Sequence, residues 1–196
     1  MALFQFGRTI DCRCGCRVGL EPRVRELSGA TGPRFIADAM LGRLARWLRI
    51  LGYDTAWEEH ISDEAVVRRA LEEERIILTR DRALPSEWWV SDITVIRSNE
   101  PLAQLAEIAP RFELGRAARP FTRCSRCNAE LVAVDRAGAR GRVPPRVLGE
   151  FARFQGCPGC GRVYWEGSHV ARMRGVLERA VGELAPVDAK SEEPGP

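Results

Sequence analysis

Four cysteines fall in two Cys-x-x-Cys pairs, Cys124 with Cys127 and Cys157 with Cys160. Each pair puts two thiolates on one tight turn, and two such turns complete a tetrahedral Zn²⁺ site. With four sulfur ligands no coordination position stays open, so the site folds a small module and does no chemistry itself. The other readings are a redox Cys-x-x-Cys or a disulfide pair, and two matched pairs flanked by arginine argue against both. A second set of residues is acidic. Asp38 directly follows the short apolar run Arg34-Phe35-Ile36-Ala37, Asp81 follows the β-branched run 75–79 by one residue, and Asp63 stands beside Ser62 at the start of a helical pattern. If those runs are parallel strands, all three carboxylates lie at one rim, where ligands gather in such sheets. Unpaired carboxylates held together repel one another. A hard divalent cation, Mg²⁺ or Mn²⁺, relieves that repulsion and could support phosphodiester cleavage. Taken singly, each acid could be a helix cap or a loop acid.

The elements that must position these groups can be read from pattern. Strands are expected at 34–37, 53–57, 75–79 and 93–96. Met40, Leu41, Leu44, Trp47, Leu48 and Leu51 fall at helical spacing, closed by Gly52. Ser62 can cap a second helix with Asp63 and Glu64 in its first turn, and Pro101 opens a third over 101–109. Short links and strand–helix alternation predict an α/β fold, a parallel sheet with helices on both faces. A closing helix over 170–181 would turn Met173, Val176, Leu177 and Ala180 inward. A β-hairpin and a loop are expected between the cysteine pairs. The organisation is then an irregular lead (1–33) holding Cys12, Cys14 and Cys16, an α/β domain (34–115), a zinc ribbon with its closing helix (116–183), and a disordered tail (184–196).

Charge is polarised. Residues 1–110 carry 15 Arg against 17 acids, residues 111–182 carry 14 Arg against 6, and residues 183–196 carry Lys190, the only lysine, against 4 acids. Arg replacing Lys in a GC-rich genome explains the scarcity of lysine but not the local excess. Guanidinium forks grip phosphates and stack on bases, so the ribbon half is expected to contact nucleic acid. No run approaches the ~20 apolar residues of a membrane span, and the N-terminus lacks a signal-peptide core. A soluble, cytoplasmic protein is expected, and seven cysteines, four of them in zinc spacing, suit a reducing compartment.

Phe35-x-x-Asp38, the stretch 41–54 beginning Leu41-Gly42-Arg43-Leu44, and Arg75-Ile76-Ile77-Leu78-Thr79-Arg80-Asp81-Arg82 resemble PIN-like ribonuclease domains. Pro120-Phe121-Thr122-Arg123-Cys124-x-x-Cys127-Asn128 and Tyr164-Trp165-x-Gly167-Ser168-His169 narrow the likeness to the Mut-seven C-terminal RNase family, a PIN-like domain fused to a zinc ribbon. The resemblance covers roughly 34–182. It implies a metal-dependent ribonuclease acting on RNA, with Asp38, Asp63 and Asp81 matching the family's acids. Asp54 also matches, but lies at the opposite rim and reads as structural. PIN-like domains usually have a fourth acid, and here neither Asp92, before strand four, nor Glu87, in a loop, is convincing. Arg80 and Arg82 could hold the scissile phosphate or the acid between them, and Arg43 lies one turn beyond Asp38. Tyr164 and Trp165 are expected to pack against the ribbon or the α/β body, with base stacking the alternative, and His169 to fasten the ribbon to the α/β part by hydrogen bonds, with a substrate or proton-transfer role the alternative. Trp88-Trp89 could be core or RNA-facing. Two other functions fit the residues: an RNA-binding adaptor with a degenerate site, and a toxin-like nuclease held by an antitoxin.

Overall fold

The computed structural model describes residues 8–11, 17–20, 32–88 and 90–184. The lead is not irregular throughout. β1 (Arg8–Asp11) and β2 (Arg17–Leu20) pair antiparallel, with Arg8 opposite Leu20. The β-branched Thr9, Ile10 and Val18 favour extended backbone and explain the departure from expectation. Cys12, Cys14, Cys16, Trp89 and the tail from 185 lie outside the described residues.

The α/β layer runs β3 (Phe35–Ala37), a 3₁₀ turn (Ala39–Leu41), α1 (Gly42–Ile50), β4 (Thr55–Trp57), α2 (Asp63–Glu72), β5 (Ile76–Thr79), α3 (Leu84–Glu87), β6 (Ile93–Val95) and α4 (Pro101–Phe112). All four strands are parallel in the order β4-β3-β5-β6, with Phe35 opposite both Thr55 and Ile76. Successive strand residues alternate faces. Phe35, Ala37, Ile76 and Leu78 therefore pack with Leu44, Leu48, Leu105 and Ile108 of α1 and α4, while Ile36 and Ile77 pack with Val66, Val67 and Ala70 of α2. β3 leaves toward β4 through α1, and the chain returns past β3 to β5 through α2 on the other face. The strand order reverses between β3 and β5, and such a switch point opens a crevice at the strands' carboxyl ends.

Met40 does not join the apolar face its spacing predicted. The tighter 3₁₀ turn rotates it outward, and it is 62% exposed. Trp88 packs half-buried against the α2-side core.

The remainder holds β7 (Val132–Val134), α5 (Arg136–Ala139), α6 (Pro145–Glu150), β8 (Phe154–Gly156) and β9 (Val163–Trp165), an antiparallel sheet in the order β7-β8-β9. The link between β7 and β8 is two short helices rather than a plain loop. Ala139, Val143, Val147 and Phe154 form a small core of their own, flanked by Trp165. α7 (Ser168–Val181) then leaves the ribbon. Its fully buried Leu177 belongs to the core of the α/β layer beside α4, so the closing helix completes the larger body rather than the ribbon to which its sequence position assigned it.

Candidate functional site

The cysteine site is built from two matching turns. In the first, Cys124 N–H donates to the Ala129 carbonyl (2.8 Å) and Asn128 N–H to the Cys124 carbonyl (3.0 Å). In the second, Cys157 N–H donates to the Arg162 carbonyl (2.8 Å) and Gly161 N–H to the Cys157 carbonyl (3.0 Å). The residue after each second cysteine closes its turn in the left-handed region, Asn128 at φ 72° and Gly161 at φ 74°, a conformation that glycine and asparagine tolerate best. The four sulfurs lie within 4.8 Å of one another. Cys127 and Cys157 approach to 3.3 Å and Cys124 and Cys160 to 3.6 Å, far beyond a disulfide bond. Burial works against ionising Cys124, yet bonds from the Tyr164 hydroxyl (3.1 Å) and backbone N–H groups outweigh it and hold that thiol down. Burial and the neighbouring sulfurs push Cys127 and Cys160 up. Four close thiols that cannot all ionise alone are a donor set suited to Zn²⁺, which favours tetrahedral sulfur. Tyr164 thus belongs to the ribbon, as expected. His169 does not fasten it: exposed in the first turn of α7, its imidazole makes no hydrogen bond among the described residues.

The ribbon is keyed to the sheet by other groups. Asn128 accepts from Thr55 N–H (3.0 Å) and donates to Asp54 (2.7 Å). Buried Arg49 donates to the carbonyls of Thr55 (2.8 Å) and Arg126 (2.7 Å). Asp54 also takes Arg75 at 2.7 Å and Arg34 at 3.1 Å. Burial raises its carboxyl, but Arg75 and Asn128 overcome that and hold it at about 2. Asp54 is therefore a fastener at the amino ends of the strands. Gly52, at φ 94°, lets the Arg119 carbonyl come so close that a Cβ would sit 2.2 Å from it.

The acidic rim lies at the other end of the sheet. Asp38, 8% exposed, accepts from its neighbour Ala39 N–H (2.5 Å) and from the Thr79 hydroxyl (2.9 Å). That hydroxyl in turn accepts from Asp81 N–H (2.9 Å), and Asp81 accepts from Ala83 N–H (2.8 Å). Thr79 thereby links the ends of β3 and β5 across the switch point, a role its place in the Thr-Arg-Asp run did not disclose. Asp63 opens α2 behind Ser62, whose hydroxyl accepts from Ala65 N–H (3.3 Å). The Asp63 carboxyl is raised by burial, then by the charges of Asp38, Asp81 and Glu87. Glu87 is not in a loop: it ends α3 and faces this cluster, where sequence alone gave it no place. Each carboxylate offers about four lone-pair sites, so Asp38 and Asp81 keep acceptor capacity beyond these bonds. Among the described residues only the cysteines gather three or more potential ligands tightly enough to share one ion. The rim acids are more widely spread.

Of Arg43, Arg80 and Arg82, Arg80 is half-buried and donates to Asn99 Oδ1, while its buried Nε has no partner. Asn99 sits in a loop that α4 clamps, through Gln104 to the Ser98 and Asn99 carbonyls and Glu107 to the Arg97 and Ser98 N–H groups. Arg80 is thus fixed without pairing to Asp81. Arg43 and Arg82 are exposed and form no ion pair among the described residues. No helix among the described residues is long and apolar enough to cross a membrane.

No curated protein and no solved structure matches this chain. The family model for the Mut7-C RNase domain matches residues 33–177, which takes in the whole parallel sheet, both cysteine turns and α7 as far as Leu177. The chain belongs to the Mut7-C RNase domain family.

Proposed function

We propose that the protein is a metal-dependent endoribonuclease whose catalytic centre is the acidic rim and whose ribbon is held by Zn²⁺ on Cys124, Cys127, Cys157 and Cys160. The observation that carries this reading is the gathering of carboxylates at the switch point: Thr79 links Asp38 to Asp81, and Asp63, raised first by its burial, is raised further by the charges of Asp38, Asp81 and Glu87. Carboxylates in that relation suit a hard cation. Asp38, Asp63 and Asp81 would hold Mg²⁺ or Mn²⁺, with Glu87 the fourth acid. Such an ion, when bound, lowers the pKa of a water and stabilises charge developing on the scissile phosphate. Thr79 orients Asp38 and Asp81, and Arg80, Arg43 and Arg82 flank the strand. RNA is the substrate that the family supports, and the reduced thiols of the zinc ligands suit the cytoplasm.

A non-catalytic RNA-binding role has one observation in its favour, the spread of the rim carboxylates relative to the sulfurs. Cleavage of labelled single-stranded and structured RNAs separates the two. We expect cutting with Mn²⁺ or Mg²⁺, none with chelator, and none by an Asp38→Asn/Asp81→Asn variant that keeps its zinc. Absence of cutting by the wild type on every RNA, with binding indifferent to the double substitution, would leave the binding role.

A further inference from the structure

A cleft of about 420 Å³ opens between α1 and the two cysteine turns, lined by Arg46, Ser125, Arg126, Arg142, Arg162 and Tyr164. Its four arginines come from separate places: Arg46 from α1, Arg126 from inside the first turn, Arg162 from just beyond the second, and Arg142 from the link between β7 and β8. None has a carboxylate partner among the described residues. Arg142 is held in place by the Gly161 and Gly138 carbonyls, which use two of its five donors. The backbone at Arg126 is fixed from below by buried Arg49. Four thiolates around Zn²⁺ leave two negative charges close by, and the four guanidiniums carry twice as many positive ones. Shielding of the metal cluster therefore accounts for only part of this convergence, and the surplus calls for an anion.

We infer that this cleft is a backbone-phosphate subsite for single-stranded RNA, outside the acidic rim, that seats the strand a few nucleotides from the scissile bond. The inference rests on the reading of RNA as the protein's ligand. Guanidinium forks match phosphate oxygens in pairs, and the Ser125 and Tyr164 side chains add polar edges to the same wall. α1 connects the subsite to the rim. Its axis begins beside Asp38, and Arg43 and Arg46 lie on successive turns of one side. From Ala39 to Arg46 the chain climbs about 12 Å, so a strand leaving the rim passes Arg43 before it enters the cleft.

The test uses the full-length, zinc-loaded chain carrying Asp38→Asn to suppress cleavage. Binding of a fluorescent single-stranded RNA is titrated at a series of salt concentrations, with and without Arg126→Gln/Arg162→Gln. We expect affinity at low salt to fall tenfold or more and the log–log salt slope to drop by about 1.4, since each phosphate contact on a single strand contributes roughly 0.7. Arg126→Lys/Arg162→Lys should restore most of the slope. The inference is overturned if affinity and slope are unchanged. It is equally overturned if the Gln pair only speeds zinc loss to a chelator, which would make the arginines a shield for the thiolates. Uptake of inorganic phosphate that the Gln pair abolishes, with RNA affinity unaltered, would make the cleft a free-anion pocket instead. Failure here stays distinct from failure of the nuclease reading. Cleavage by the otherwise wild-type chain with an unchanged salt slope in the Gln pair sinks the subsite alone. A reduced slope in a protein that cuts no RNA sinks the nuclease alone.

Discussion

The cysteine site and the acidic rim are both candidate ligand sets, and they are built in opposite ways. Each half of the cysteine site is a local turn of about six residues, closed by its own backbone bonds and a left-handed Asn128 or Gly161. Its sulfurs converge without further help. The rim draws Asp38, Asp63, Asp81 and Glu87 from four segments whose spacing depends on the whole sheet. Its carboxylates remain more widely spread and burden Asp63 with burial and repulsion. The first arrangement yields a closed site that stabilises a module. The second yields an open one that costs stability, as expected where binding capacity is kept for a ligand.

The comparison breaks most directly at the zinc. Structural zinc contributes about 10–16 kcal/mol of apparent binding energy in isolated fingers, far more than the small core around Phe154 can replace. Chelation, or Cys157→Ser, is expected to unfold the ribbon outright. Because Asn128 and Arg49 tie the first turn to Thr55 at the sheet edge, the α/β layer should melt at a lower temperature as well. Circular dichroism melts beside zinc content would check this. A ribbon that stays folded without metal would show that the two ligand sets differ less than their geometry implies.

At the rim, the corresponding lever is Thr79. Its hydroxyl donates to Asp38 and accepts from Asp81 N–H, so Thr79→Val removes the bridge and keeps the volume. Losing an outer-shell partner of this kind costs about 10–100-fold in metal affinity or activity. The expected readout is a raised Mn²⁺ requirement for cleavage, with zinc content unchanged. An unaltered metal dependence would mean that the rim needs no such support.

Much of this was legible in the sequence because it is local. Cys-x-x-Cys spacing, the β-branched run before Thr79, and the cap at Ser62 each state their structure within a few residues, and the parallel order follows from short crossovers. What escaped depends on distance or handedness. Met40 fits a helical stripe until the 3₁₀ turn rotates it out. Glu87 gains a role only once α3 faces α2's first turn. The allegiance of α7 to α4 cannot be read from its place after the ribbon. The rim position of Asp54 marks it as structural, but its partner Asn128 lies 74 residues away.

Asp54 also offers a measurement by pH. Its folded value of about 2 lies below the ordinary carboxyl range, so it contributes stability that is complete above pH ~4 and lost as pH falls toward 2. The amount is on the order of 2 kcal/mol. Asp54→Asn should lower neutral-pH stability by a similar amount and flatten the acid limb of a denaturation series. An unchanged acid limb would remove Asp54 from the joint between sheet and ribbon.

The smallest effect has the opposite sign. Asp63 is raised in the folded state by its burial and by three neighbouring carboxylates. Above that raised value the folded protein carries a repulsion that the unfolded chain lacks, so stability increases as pH falls through it. Asp63→Asn removes the repulsion at neutral pH. It gives up the favourable placement of an acid in the first turn of α2, about 0.3–1 kcal/mol, although Glu64 and the Ser62 cap remain. With three opposing carboxylates against one dipole contribution, the variant is expected to melt slightly above the wild type in divalent-free buffer. Mn²⁺ should then raise the wild type more than the variant and close the gap. If the variant melts lower at neutral pH and gains as much from Mn²⁺ as the wild type, Asp63 is only a helix-turn acid, and the rim loses the group by which its self-repulsion is recognised.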